Sequence, residues 1–196
     1  MLALLYPPEN APVYPRPSID HPGRKSFPRG EMLPLVEPSG IVYGQATREW
    51  CHSGSGVLHP VVHLHIIDRF GRVYLQKRAI TKDLLPGYWD TAVGGHITYG
   101  EQADEALYRE AAEELGLHAF LPIPLDTYVY ETDRDREFVF IYAMVGHPEL
   151  DPDNAEVSEG KWWSRDELDA VWGKCVLTPN FESEFPRISK QLLSLL

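Results

Sequence analysis

Between Gly94 and Leu117 the chain reads GGHITYGEQADEALYREAAEELGL, which sets Glu101, Asp104, Glu105, Glu110, Glu113 and Glu114 against one cation, Arg109. On an α-helix each residue turns by about 100°, so Glu110, Glu113 and Glu114 fall at roughly 0°, 300° and 40°. The three carboxylates share one arc, beside an apolar stripe of Leu107, Ala111 and Leu115 suited to face a core. Like charges four residues apart cost roughly a few tenths of a kcal/mol on an exposed helix and more when partly buried. A hard divalent cation removes that cost, because carboxylate oxygens are the ligands Mg²⁺ prefers. A solvated acidic face has the same spacing, so the helix alone leaves both readings open.

The flanking sequence predicts the elements that hold this helix. Thr98 and Glu101 have the spacing of a capping box, which places the helix start near Gly100, and Gly116 suits its end. Upstream, LHPVVHLHIIDRFGRVYLQKRA predicts a hairpin: a strand over 61–67, a turn within 68–71 and a strand over 73–76. MLPLVEPSGIVYGQATREW predicts two shorter strands around a Pro-Ser-Gly turn, and PGYWDTAVGGH a loop and short strand. Strands are expected near 128–130 and 138–145 and in GKWWS, and helices in RDELDAVW and FPRISKQLLSLL. Mixed strands with a few helices and no internal repeat predict an α/β sandwich.

Composition narrows the function classes. The chain has 196 residues, 43% of them hydrophobic, enough for one sizeable core. A net charge of −11 repels nucleic acid polymers and anionic membranes, but leaves room for a small anion held through a metal. Cys51 and Cys175 make no disulfide framework, which fits a reducing, cytoplasmic compartment, and neither has a nearby partner for nucleophilic chemistry. The start, MLALLYPPEN, has no basic region and is too short for a signal peptide, and no run suits a membrane helix. Residues 1–31 hold seven prolines and read as an irregular or extended arm, with the folded domain over 32–196. Removing the arm is expected to leave an active domain, unless the arm packs on it or across a homodimer interface.

Gly95, Glu101, Arg109-Glu110, Ala111, Glu113-Glu114, Gly116 and Leu117 stand at the spacing of the Nudix box, and the chain resembles that family from about Met32 onward. LQKRAITKDLLPGYWDTAVGGH resembles the strand and loop before the box in a subgroup related to isopentenyl diphosphate isomerases, and EVSEGKWWSRDEL the family's later strand and helix. The resemblance implies a Nudix-type α/β/α sandwich with a mixed sheet, and hydrolysis of a diphosphate in a nucleotide or related small molecule with Mg²⁺ or Mn²⁺. Carried over by position, Glu110, Glu113 and Glu114 would bind the metal with the Gly95 carbonyl, and Glu101 would support the loop and reach a metal through water. Arg109 would brace the glutamates. A carboxylate takes the proton of the attacking water, with Glu113, Glu114 and Glu137 as catalytic candidates.

Outside the box, the isomerase resemblance matches His59 and His96 to histidines of a second metal site, and Glu137, less closely Asp135, to acidic ligands. His59, His96 and Glu137 must then converge from distant segments, and activity that depends on this site is expected to fall below about pH 6.5, the ordinary histidine pKa. His63 and His65 alternate with Val62, Leu64 and Ile66 on one strand face and read as structural. Arg78 and Lys82 lie where the isomerases place cations near the diphosphate. Trp89, Trp162 and Trp163 could stack a base, at least one being core. Two other classes compete with hydrolysis: an isomerase, which uses a cysteine where this chain has Gly94, and a silent ligand-binding module, which would have no cation to relieve the intact glutamates.

Overall fold

The computed structural model describes residues 3–6, 30–82, 84–152 and 155–196, so most of the Pro-rich arm lies outside the described residues. In chain order the elements are β1 (Met32–Val36), β2 (Val42–Thr47), α1 (Arg48–Cys51), β3 (His59–Ile67), β4 (Val73–Arg78), β5 (Trp89–Asp90) and β6 (Val93–His96). There follow α2 (Ala103–Leu115), β7 (Ile123–Glu131), β8 (Arg136–Val145), β9 (Val157–Trp163), α3 (Arg165–Val171) and α4 (Pro179–Leu193). One sheet runs in the order β5-β4-β3-β8-β7, with β6 paired to β3 and β9 to β4; β1 and β2 form a second, two-stranded sheet. This is the mixed α/β architecture that the sequence predicts. No helix among the described residues is long and apolar enough to cross a membrane.

The chain divides into two compact units that interleave in sequence: 1–61, 96–106 and 127–139, and 62–95, 107–126 and 140–196. In the first, Met32 pairs with Thr47 and Leu33 with Ala46 in the antiparallel β1–β2 ladder. Leu33, Leu35, Ala46 and the thiol of Cys51 form a small core with Tyr43, Trp50 and Val57 against it. Burial pushes that thiol up to about 12, so Cys51 is an apolar filler rather than a nucleophile. The start of the arm is tied into this unit. Leu5 donates its N–H to the Gly40 carbonyl and accepts from Val42 N–H. Leu4 is buried and exchanges backbone bonds with the Gln102 side chain, and the Tyr6 hydroxyl donates to the Glu101 carbonyl at 2.7 Å. Removing residues 1–31 therefore removes a buried leucine and these bonds. Tyr6→Phe, which deletes only the hydroxyl, is expected to cost about 1 kcal/mol; a urea midpoint equal to the parent's would show that the Glu101 carbonyl finds another donor.

In the second unit β3 and β4 pair antiparallel, Ile66 opposite Tyr74 and Ile67 opposite Val73, which is the predicted hairpin. Its turn is closed by Asp68, which accepts from the Phe70 and Arg72 backbone and from the Arg72 guanidinium. Leu64, Ile66, Leu75, Leu107, Leu115 and Ile141 are among its fully buried side chains, so the predicted stripe of α2 does face a core. Two boundaries differ from expectation. Helix α2 begins at Ala103, not near Gly100, because Gly100 sits at φ +96°, outside helical space. Thr98 and Glu101 close a turn before the helix, and Glu105 reaches back to the Gln102 N–H. Helix α4 starts six residues before the predicted FPRISKQLLSLL segment, because Thr178 caps it and Pro179 occupies its first turn.

Candidate functional site

The box carboxylates on α2 differ in setting. Glu113 is exposed, Glu110 is mostly covered and Glu114 is buried. Arg109 Nη1 reaches Glu110 Oε1 at 2.7 Å and Glu113 Oε2 at 3.2 Å, the bracing expected of it. Glu114 Oε2 accepts from the Gly94 N–H at 3.1 Å and from Gln76 Nε2 at 3.0 Å. Burial, then the neighbouring Glu110 charge, outweigh these two bonds and push the Glu114 carboxyl up to about 8. Glu110 crosses directly over Gly95: a Cβ on that residue would lie 2.0 Å from Glu110 Cδ. Glycine at 95 therefore lets a carboxylate and a backbone strand meet at a distance no side chain permits. The result is an all-oxygen donor set of carboxylates braced by Arg109, which fits a hard divalent cation.

In the other unit His52, His59, His96 and Glu137 each place one ligand atom within 4.8 Å of the others. His59 and His96 rings are stacked, centroids 5.6 Å apart, and His52 stands edge-on to both. His52 Nδ1 donates to Asp135 Oδ1 at 2.6 Å, and the two Nε2 atoms of His52 and His96 are 2.8 Å apart. His59 Nε2 is buried with no hydrogen-bond partner among the described residues. Burial, then the nearby His52, lower the His59 pKa to about 4, so its ring is neutral at physiological pH. A neutral buried imidazole next to two other imidazoles and a carboxylate is a donor set that could hold a metal ion.

Of the expected residues, the structure thus brings His59, His96 and Glu137 together, and places Asp135 behind His52. His52 was not expected; the available signal was a histidine seven residues before His59, at the C-terminal cap of the four-residue helix α1. The carboxylate of Glu101 accepts from the Thr98 N–H at 3.0 Å and supports its turn. Arg78 reaches Asp90 and the Leu84 carbonyl, and Lys82 pairs with Glu156. His63 and His65, read as structural, both bind the buried Glu184. Trp89 and Trp163 are buried against each other, and Trp162 is half-buried beneath a stacked His147.

The NUDIX domain family model matches residues 57–181. The chain is 32% identical to an isopentenyl-diphosphate Delta-isomerase of Brevibacterium linens over 70% of this chain and 79% of the relative. It is also 32% identical to the uncharacterized Nudix hydrolase YfcD of Escherichia coli K12, over 71% of this chain and 77% of the relative. The crystal structure of DR0079 from Deinococcus radiodurans superposes with a TM-score of 0.68 at 23% identity, covering 80% of this chain and 98% of that one, and shows the same fold. From the spacing of the box, the extent of the family match and the shared fold, the chain belongs to the Nudix hydrolase family.

Proposed function

We propose that the protein hydrolyses a diphosphate linkage in a nucleotide or related organic diphosphate, with Mg²⁺ or Mn²⁺. The observation that carries this reading is Glu114, a carboxylate buried beside Glu110 and the Gly94 backbone, whose charge needs a cation. Glu110, Glu114 and the Gly95 carbonyl would hold the ion, which when bound would neutralise the diphosphate and acidify a water. Glu113, the outermost of the three, is open to solvent and would take a proton, while Arg109 keeps it and Glu110 in one arc. Arg78 and Lys82 remain the proposed diphosphate cations; either must open its ion pair with Asp90 or Glu156 to bind substrate. The test is a panel of nucleoside diphosphates and triphosphates, nucleotide sugars and isoprenoid diphosphates, followed by phosphorus NMR for loss of the diphosphate linkage with Mg²⁺, Mn²⁺ or EDTA. One class should be cleaved, and only with metal. Binding of a panel member without cleavage would instead support a ligand-binding module.

The histidine cluster favours a second reading, an isomerase of isopentenyl diphosphate, the activity named for the Brevibacterium relative. Gly94 argues against it, since it offers no side chain for moving a proton at carbon. Incubation with isopentenyl diphosphate in D₂O decides: a shifted double bond without phosphate release would favour the isomerase. In either reading His52, His59, His96 and Glu137 are proposed to bind a metal through softer donors than the box, with Asp135 orienting His52. Asp135→Ala is expected to weaken Zn²⁺ or Mn²⁺ binding at this cluster about tenfold. Unchanged affinity in calorimetry would show that His52 is oriented by other contacts.

A further inference from the structure

Glu184 on α4 is buried to 1% exposure and receives two imidazoles. His63 Nδ1 donates to its Oε2 at 2.8 Å and His65 Nε2 to its Oε1 at 2.6 Å. Burial alone raises the Glu184 carboxyl, but attraction to His63 and the bonds from both rings hold it well below the usual carboxylate range. A buried carboxylate with two histidines is a costly way to fill a core, and apolar side chains of similar volume would serve stability as well. The two histidines differ in what lies on their other side. His65 packs toward Phe181, within the core. His63 turns its opposite edge to Gly94: Cδ2 and Nε2 lie 3.5 and 3.7 Å from where a Gly94 Cβ would stand. The Thr91 methyl lies 3.6 Å from the same point, and Thr91 is itself pinned by its hydroxyl to the Leu64 carbonyl. Gly94 N–H is the donor to Glu114, and the next residue, Gly95, is the strand on which Glu110 rests.

We propose that Glu184 and His63 are positioning residues of the box: Glu184 fixes the ring of His63, whose edge sets the Gly94–Gly95 backbone and through it the Glu110 and Glu114 carboxylates. This rests on the reading of those carboxylates as a metal site. His65 shares the same carboxylate but does not touch Gly94, so its role is confined to holding Glu184.

Three substitutions in the full chain separate positioning from packing. His63→Asn keeps an amide nitrogen near the place of Nδ1, and so the bond to Glu184, but removes the edge against Gly94. Glu184→Gln keeps the shape and loosens the ring. His65→Gln keeps an amide nitrogen near the place of Nε2, and so the bond that holds Glu184, but gives up the ring that packs toward Phe181. The readout is Mn²⁺ binding by electron paramagnetic resonance, counting the Mn²⁺ that Mg²⁺ displaces so that the imidazole cluster does not contribute. Thermal midpoints are measured alongside. His63→Asn and Glu184→Gln are expected to raise the Mn²⁺ dissociation constant about tenfold, and His65→Gln to lower the midpoint while leaving Mn²⁺ affinity unchanged. Parental affinity in folded His63→Asn overturns the proposal, as does a loss of affinity that follows the thermal midpoint equally in all three. Should Glu184→Gln fail to fold, His63→Asn against His65→Gln still decides. Glu114→Gln is the control for the underlying reading: if it leaves Mn²⁺ binding intact, the box is not the metal site and the positioning role falls with it; if it abolishes binding while His63→Asn does not, only the positioning role fails.

Discussion

Glu114→Gln is expected to lower metal-dependent hydrolysis by at least about 10²-fold while the fold survives. The substitution keeps the side chain's volume and an oxygen for the Gly94 N–H, but removes the charge that would hold the cation. The new amide has a partner waiting: Gln76 Oε1 is buried with no hydrogen-bond partner among the described residues, and rotation of the Gln76 amide turns that oxygen toward residue 114. The variant also tests the electrostatics of the site. Glu114 is raised in the fold to about 8, so in EDTA the parent holds a proton there that the unfolded chain releases at the ordinary glutamate pKa. Its contribution to stability is complete below about pH 4.5 and is lost as pH rises through 8; Glu114→Gln, which cannot ionise, should lack that decline. Near-parental hydrolysis by the variant at limiting Mg²⁺ would remove Glu114 from the metal site.

Much of the fold was legible because its elements have strong local causes. The β3–β4 hairpin is bounded by an apolar run and a turn that Asp68 closes through local bonds, so its register follows from nearby residues. The stripe of Leu107, Ala111 and Leu115 likewise reads directly from helical spacing, and all three are fully buried. The misplaced start of α2 has a different origin. The Thr98–Glu101 pair does form a bond, but the conformation of Gly100 comes from a turn whose Tyr99 N–H donates to Met32, far away in sequence. Leu4 and Tyr6 are the extreme case: their partners Gln102 and Glu101 are 98 and 95 residues away, and a proline-dense stretch gives no local reason for order at its first residues.

The candidate sites divide the same way. The box carries its own geometry, since Arg109, Glu110 and Glu113 are neighbours on one helix and Gly95 is the residue the motif demands. The burial that perturbs Glu114 was not readable, because it depends on Gln76 and the β3–β4 part of the sheet. In the histidine cluster, the resemblance pointed at His59, His96 and Glu137 but not at the fourth residue. His52 gains its meaning from Asp135, 83 residues on, which orients the ring, and no spacing rule connects them. His63 and His65 were correctly placed on one strand face, yet their partner on α4 could not be seen from β3 alone: a charged residue in a helix otherwise reads as surface.

The structure also revises the pH expected to silence the histidine cluster. A fall in activity below about pH 6.5 assumed ordinary histidines, whereas burial lowers His59 to about 4. Its nitrogen stays unprotonated, and open to a metal, well below neutral pH, so His59 is not the residue that limits metal binding at pH 6. The same shift makes metal-free protein acid-sensitive. The unfolded chain takes up a proton on His59 near pH 6.5, while the folded chain resists until about 4. Stability contributed by the neutral ring is fully present above 6.5 and is lost as pH falls from there toward 4. Two and a half pKa units correspond to about 3 kcal/mol across that window, a large share of a domain's total. Urea unfolding in EDTA at pH 7 and pH 4.5 should show this loss in the parent, and His59→Leu, which has nothing to protonate, should show a shallower one. A bound metal holds the ring neutral and should deepen the parent's dependence on pH rather than relieve it, since acid must then displace the ion as well. Equal pH slopes for parent and His59→Leu without metal would mean that His59 is solvated in the folded protein, and the orphaned nitrogen would no longer mark a ligand.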